Sequence, residues 1–116
     1  MQSLYKILVR ENELAKKYFK NYIFYVKKVK KIVKQIFSDA KVIVFGSIVT
    51  NKYNADSDID ILIVSDEIPK SVFEQAKIKV MIKNKFKLAP FEIHLATKQE
   101  YENWYKNFIK ENFIEV

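Results

Sequence analysis

The chain has 116 residues, 49% of them hydrophobic, and a net charge of +7 from 21 Lys and Arg against 14 Asp and Glu. With no cysteine, one histidine and one glycine, it can form no disulfide, no thiolate or multi-histidine zinc site, no Walker loop, no dinucleotide fingerprint and no lipase-type serine elbow. No apolar run reaches the length of a membrane span and the first residues lack the apolar core of a secretory signal, so the expectation is a soluble cytoplasmic protein without membrane contact.

The length suits one domain over residues 1–116, divided into an N-terminal helical segment (1–37), a core (41–95) and a C-terminal helix (98–116). From Leu4 to Phe37 there is neither Gly nor Pro. In the second half, Tyr22, Tyr25, Val26, Val29, Ile32, Val33, Ile36 and Phe37 recur at helical spacing, with Lys27, Lys28, Lys30, Lys31 and Lys34 opposite. Unbroken, such a helix would be roughly 50 Å long, more than so small a core needs, and Asn12 reads as a break or a loose cap. The surplus length, with aromatic Tyr18, Phe19, Tyr22 and Tyr25, suits an interface.

Ser38-Asp39 ends the helix. Lys41 to Phe45 is a β-branched, apolar run and reads as a buried strand. Gly46 to Asp56 reads as a turn with room for a short helix, and Asp58 to Val64 as a second strand. Pro69 opens a second helix to about Phe86, with an apolar stripe of Phe73, Ala76 and Val80 widened by Val72 and Met81. Pro90 introduces a third strand, Phe91 to Leu95. Thr97 and Glu100 form a capping box ahead of a short helix through Tyr101, Trp104 and Tyr105. Ile109 to Val116 reads as irregular or frayed. The order implies an α/β (α+β) fold, with one small β-sheet backed by helices.

Side chains alternate along a strand, so Ile59, Ile61 and Ile63 face the core while Asp58 and Asp60 share the other side. Two like charges roughly 7 Å apart repel unless a cation lies between them, and Mg²⁺ with a triphosphate supplies one. A solvated Asp pair at the start of a strand is the plain alternative. Glu92 adds a third carboxylate opposite the core residues Phe91, Ile93 and Leu95, and completes a metal-binding triad if the strands are neighbours. Otherwise it is the polar residue of an edge strand. His94 shares the face of Glu92 and reads as a supporting residue. Gly46-Ser47 directly follows a buried strand, where backbone amides and a hydroxyl suit phosphate oxygens. By itself the dipeptide reads equally as an ordinary turn.

The combination is more specific than its parts. Phe45-Gly46-Ser47, ten residues, Asp58-Ile59-Asp60, the apolar run Ile61 to Val64, and then Glu92 on a later strand resemble the signature of the DNA polymerase beta-like nucleotidyltransferase superfamily. The short length is similar to the minimal nucleotidyltransferases within it. The resemblance covers Phe45 to Leu95, a little under half the chain, and the flanking helices fit in order. It implies a polymerase beta-like fold with a small mixed sheet, and transfer of an NMP, AMP from ATP in the first instance, onto an acceptor hydroxyl. Gly46 and Ser47 would hold the β- and γ-phosphates. Asp58, Asp60 and Glu92 would bind two Mg²⁺ ions, with Mn²⁺ able to replace them, and Glu92 would help deprotonate the acceptor. Thr50 and Asn51 stand where many minimal members carry Arg-Gly, which removes a cation near the triphosphate and leaves Lys52 to substitute. Such proteins commonly pair with a helical HEPN-domain protein as antitoxin to toxin and adenylylate a tyrosine of the partner. The resemblance therefore implies a HEPN partner, a homodimer, or both. Two other readings stand beside it: a non-catalytic, nucleotide-binding subunit that masks a partner, and an RNA-tailing or RNA-binding protein using the lysine-rich first helix, whose binding would depend steeply on salt.

Overall fold

The computed structural model describes residues 3–116. Helix α1 (Leu4–Lys20) is capped by the Ser3 hydroxyl, which accepts from the Lys6 amide. Helix α2 (Tyr22–Ile36) follows after a single residue, Asn21. The N-terminal helix is therefore broken, at Asn21 and not at Asn12, which lies inside α1. Asn21 leaves helical geometry (φ −117°, ψ 31°), and both its backbone amide and its side-chain amide donate to the Lys17 carbonyl. A short polar side chain that satisfies a terminal carbonyl makes this break inexpensive.

Strands β1 (Lys41–Phe45), β2 (Ile59–Val64), β3 (Phe91–Ala96) and β4 (Phe113–Glu115) form one sheet in the order β3-β2-β1-β4. β1 runs antiparallel to β2 and β4, and β2 runs parallel to β3, so the sheet is mixed as expected. β4 is a correction: the segment expected to fray adds to the open edge of β1, and the Val116 amide donates to the Val42 carbonyl. Its residues are exposed, so backbone pairing rather than side-chain burial holds it.

β1 and β2 from Ile61 to Val64 read as continuous apolar runs because both sheet faces are covered there. On one face, Val42, Val44, Ile59, Ile61, Ile63, Phe91, Ile93 and Leu95 pack with Val26, Val29 and Val33 of α2 and Tyr18 and Phe19 at the end of α1. On the other, Ile43, Phe45, Leu62, Val64 and Ala96 pack with Ile109, Tyr101 and Tyr105. Only the C-terminal end of α1 joins the core, where the Tyr18 hydroxyl donates to the Lys87 carbonyl; Leu4, Tyr5, Ile7, Leu8 and Val9 are exposed.

Helix α3 (Val72–Lys83) starts at the cap Ser71, whose hydroxyl accepts from the Glu74 amide, and not at Pro69. It buries Ile82 and half-buries Ile78. The expected stripe is turned outward: Val72, Phe73, Val80 and Met81 are exposed. Sequence spacing identified a helix here but not the side facing the sheet, because both sides carry apolar residues. After β3, the capping box of Thr97 and Glu100 forms as expected. It starts a continuous helical run of α4 (Lys98–Glu100), a π-helical turn (Tyr101–Tyr105) and α5 (Lys106–Ile109).

Asp39 ties these parts together. Its carboxylate accepts from the Ser65 hydroxyl at the end of β2 and from the Asp66 amide, and Lys98 lies 3.5 Å away. The Ser65 hydroxyl, the Asp66 amide and Lys98 together hold the Asp39 carboxyl down at about 2.

Candidate active site

β2 and β3 place their polar residues on the face opposite α2. Register sets Asp60 beside Phe45 on one side and beside Glu92 on the other. The two acids therefore lie on adjacent strands, as the triad required. His94 lies two residues along β3 on the same face. Its Nε2 is 3.4 Å from Asp60 Oδ1 and 3.9 Å from Glu92 Oε1. One ligand atom from each of Asp60, Glu92 and His94 can be chosen so that all lie within 4.8 Å of one another. Asp60 and His94 are three-quarters buried at the side chain, and Glu92 is half exposed.

Asp58 departs from the expected strand geometry. β2 begins at Ile59, so Asp58 stands on the preceding loop and is exposed, outside the close group. That loop is ordered by Asn54, whose Oδ1 accepts from the Asp56 amide while its own amide donates to the Ser57 hydroxyl. Asp58 nevertheless lines the same open cleft as Glu92 and His94, a space of about 480 Å³ lined on its other side by α3. α3 brings Lys79 and Lys83 to that cleft. Sequence reading passed over both lysines, although their spacing of four puts them on one helix side.

Gly46 is the one position where only glycine fits. Its φ is +87°, and a Cβ there would lie 2.5 Å from Asp60 Oδ2. The missing side chain leaves space for the Asp60 carboxylate. The following loop curls on itself: the Val49 and Thr50 amides donate to the Gly46 carbonyl, and the Lys52 amide and Thr50 hydroxyl donate to the Ser47 carbonyl. It is a run of turns rather than a short helix, so no helix dipole points at a phosphate here. Ser47 and Thr50 are half-buried, while Asn51 (φ 58°) and Lys52 are exposed.

The donor set fits a divalent cation in number and type: two carboxylates and an imidazole, with a third carboxylate at the cleft mouth. Ligands of Mg²⁺ at about 2.0–2.1 Å lie about 3 Å apart when adjacent. The 4.8 Å spread must therefore close by an ångström or two, within reach of rotation about carboxylate and imidazole bonds. Asp60, Glu92 and His94 can hold a metal ion.

An aromatic wall adjoins this group. The Phe45 and His94 rings are 5.4 Å apart, and Tyr105 in the π-helical turn lies 6.3 Å from His94. Trp104 packs edge-on against Tyr105, and Phe108 against Phe45.

Among the described residues no helix is long and apolar enough to cross a membrane. No functionally curated protein matches the sequence significantly. One solved structure, a protein provisionally assigned as a nucleotidyltransferase, is similar at 35% identity over 79% of this chain and 97% of its own, with a TM-score of 0.56. A second, provisionally assigned in the same way and from Sulfolobus solfataricus, shares the fold at 22% identity over 88% of this chain and 85% of its own, with a TM-score of 0.59. The nucleotidyltransferase domain model matches residues 26–116, a span that takes in α2 from Val26 onward and everything beyond it, including the acids, the glycine and β4. The chain belongs to the nucleotidyltransferase domain family.

Proposed function

We propose that this protein transfers the nucleoside monophosphate of an NTP, with ATP as first candidate, onto an acceptor hydroxyl. The observation that carries the reading is the pairing of Asp60 with Glu92 on adjacent parallel strands, with Gly46 packed against Asp60, in a chain of this family. Asp58, Asp60 and Glu92 would hold Mg²⁺, as two ions, or Mn²⁺, with His94 orienting Asp60. Bound there, the metal would supply positive charge to the triphosphate and to the acceptor oxygen. Gly46 and Ser47 offer backbone amides and a hydroxyl to the β- and γ-phosphates. The exposed Lys52 takes the place of the cation lost at Thr50 and Asn51.

Glu92, half exposed at the cleft, is the group that accepts the acceptor's proton at a carboxylate oxygen. The acceptor oxygen then bonds to the α-phosphorus as the bond to the β-phosphate oxygen breaks, and pyrophosphate leaves. Lys79 and Lys83 offset the charge of the acids from across the cleft. The acceptor fitting this reading is a tyrosine hydroxyl of a HEPN-type partner in the cytoplasm, with the protein as antitoxin. The exposed apolar residues at the start of α1 offer a surface for that partner or for a second copy. A second reading, a non-catalytic subunit that masks its partner, is favoured by Thr50 and Asn51, which remove a cation from the phosphate loop.

Calorimetry and single-turnover transfer of labelled AMP test the assignment together. Asp58→Asn with Asp60→Asn should abolish metal-dependent ATP binding without unfolding the chain. Glu92→Gln should bind ATP as before but transfer roughly a hundredfold or more slowly, about 3 kcal/mol of barrier; His94→Ala should lose far less. Unchanged affinity in the double variant, or wild-type transfer by Glu92→Gln, would remove the carboxylate mechanism. ATP binding with no transfer to any supplied acceptor would favour the masking subunit.

A further inference from the structure

Two openings meet at His94. One is the polar cleft of Asp58, Glu92, Lys79 and Lys83. The other is apolar, about 140 Å³, and is lined by Phe45, His94, Trp104, Tyr105 and Phe108. A cavity of about 150 Å³ holds a single aromatic ring. Whole drug-sized ligands need roughly 300 Å³ or more. This space therefore takes one ring of a larger ligand, and a second fused ring would lie over the exposed rim of Trp104 and Phe108.

The lining is not ordinary core. Phe45 is buried and Tyr105 half-buried, but Trp104 and Phe108 are 66% and 70% exposed. Two large aromatic side chains thus stand in water at the rim of an apolar opening, at an energetic cost unless something flat covers them. They are carried by the π-helical turn and by α5 just beyond it, in a helical run whose geometry changes at this place. π-helical turns of this kind are frequent at functional sites. His94 belongs both to this opening and to the acid group, with Nε2 3.4 Å from Asp60. Phe45 is followed directly by Gly46 and Ser47. A ligand reaching from the acids into the opening must therefore be anionic or metal-binding at one end and flat and apolar at the other.

We propose that this pocket is the nucleobase subsite, in which the heterocycle of the NTP stacks against Trp104 and Phe108 while its phosphates remain at the acids and Gly46-Ser47. The inference rests on the nucleotidyltransferase reading above. The base is the only flat, apolar part of an NTP, and this is the aromatic one of the two openings. The pocket holds its ligand by ring faces more than by hydrogen bonds, so it discriminates weakly among bases, as stacking sites do.

Trp104 is the single tryptophan of the chain and reports on its own pocket. Its emission is followed while the full chain is titrated with each of the four Mg²⁺–NTPs and with Mg²⁺–tripolyphosphate, which has phosphates but no base. All four NTPs should quench it, with affinities within about tenfold of one another, and tripolyphosphate should bind by calorimetry without quenching. Trp104→Ala and Phe108→Ala, both at exposed positions, should weaken NTP binding roughly 5- to 150-fold and leave tripolyphosphate affinity unchanged; Trp104→Phe should retain most of it. NTP binding without quenching, at wild-type affinity in both alanine variants, would overturn the base subsite and leave the nucleotidyltransferase reading standing. So would unchanged nucleotide affinity with a raised KM for the acceptor, which would give the pocket to an acceptor ring. Failure of both NTP and tripolyphosphate to bind would remove the nucleotide reading itself and this subsite with it.

Discussion

Replacing Gly46 with alanine sets three effects against one another. A non-glycine residue at φ +87° carries roughly 1–3 kcal/mol of backbone strain. The added Cβ would lie 2.5 Å from Asp60 Oδ2, so the carboxylate must swing away. Against this, alanine restricts the unfolded chain and returns about 0.4–1 kcal/mol. Strain wins, and the net loss is about 1–3 kcal/mol once the displaced carboxylate is included. Unfolding entropy of about 2.1 cal/mol/K per residue over 116 residues is about 0.24 kcal/mol/K, so the melting temperature should fall by about 4–12 °C. Metal affinity should fall as well, by about 10- to 100-fold, as when an oriented ligand loses its support. Differential scanning calorimetry gives the first quantity and Mn²⁺ titration followed by electron paramagnetic resonance the second. A cycle with Asp60→Ala separates the causes: in the double variant the part due to the clash should return, while the part due to φ should remain. A Gly46→Ala protein that melts within a degree of wild type and binds Mn²⁺ equally would refute the packing of Gly46 against Asp60.

Asp39, held at about 2 against its ordinary value of 3.8 by Ser65, Asp66 and Lys98, favours the folded state above pH 3.8. That contribution is lost as pH falls from 3.8 towards 2. Urea midpoints measured against pH should show wild type exceeding Asp39→Asn at pH 6 and converging with it by pH 2; parallel curves would deny the bond network its role. The exposed Leu4, Tyr5, Leu8 and Val9 of α1 should be covered in solution. Sedimentation equilibrium should give a dimer, or a complex with the partner, that Leu8→Glu weakens at least tenfold; a monomer at high concentration without a partner would leave α1 with no interface role.

The parts of the fold carried by local pattern were legible. β1 announced itself through a β-branched run, β3 through Pro90 and the alternation of Phe91, Ile93 and Leu95 with Glu92 and His94, and the helix after β3 through Thr97 and Glu100. What sequence could not supply were choices made by distant partners. α3 carries apolar residues on more than one side, and only contact with the sheet selects Ile78 and Ile82 over Phe73 and Val80. β4 exists because β1 has an open edge; Phe113 and Ile114 favour a strand, but three residues do not specify that partner. At the site, alternation along β3 put Glu92 and His94 on one face, and the register delivered Asp60 beside Glu92. The same alternation put Asp58 on the strand, whereas β2 starts one residue later and Asp58 reaches the cleft of Glu92 and His94 from the preceding loop. Lys79, Lys83, Trp104 and Phe108 went unread because each reaches the site from an element far along the chain.

β3 writes its core and its chemistry on alternate residues of one six-residue strand, paired to β2 from Ile59–Phe91 through Val64–Ala96. A slip by one residue would turn Phe91, Ile93 and Leu95 to the face that carries the acids, and Glu92 and His94 into the apolar layer against α2. Such a misthreaded chain would bury a carboxyl without a partner, which even after neutralising is a large cost against the marginal stability of a domain this size. Misassembly here therefore has no durable, well-packed but inert product: molecules that lose the donors also lose the core. Proofreading of the fold by proteolysis would then also proofread the site, and the surviving population would be uniform in both.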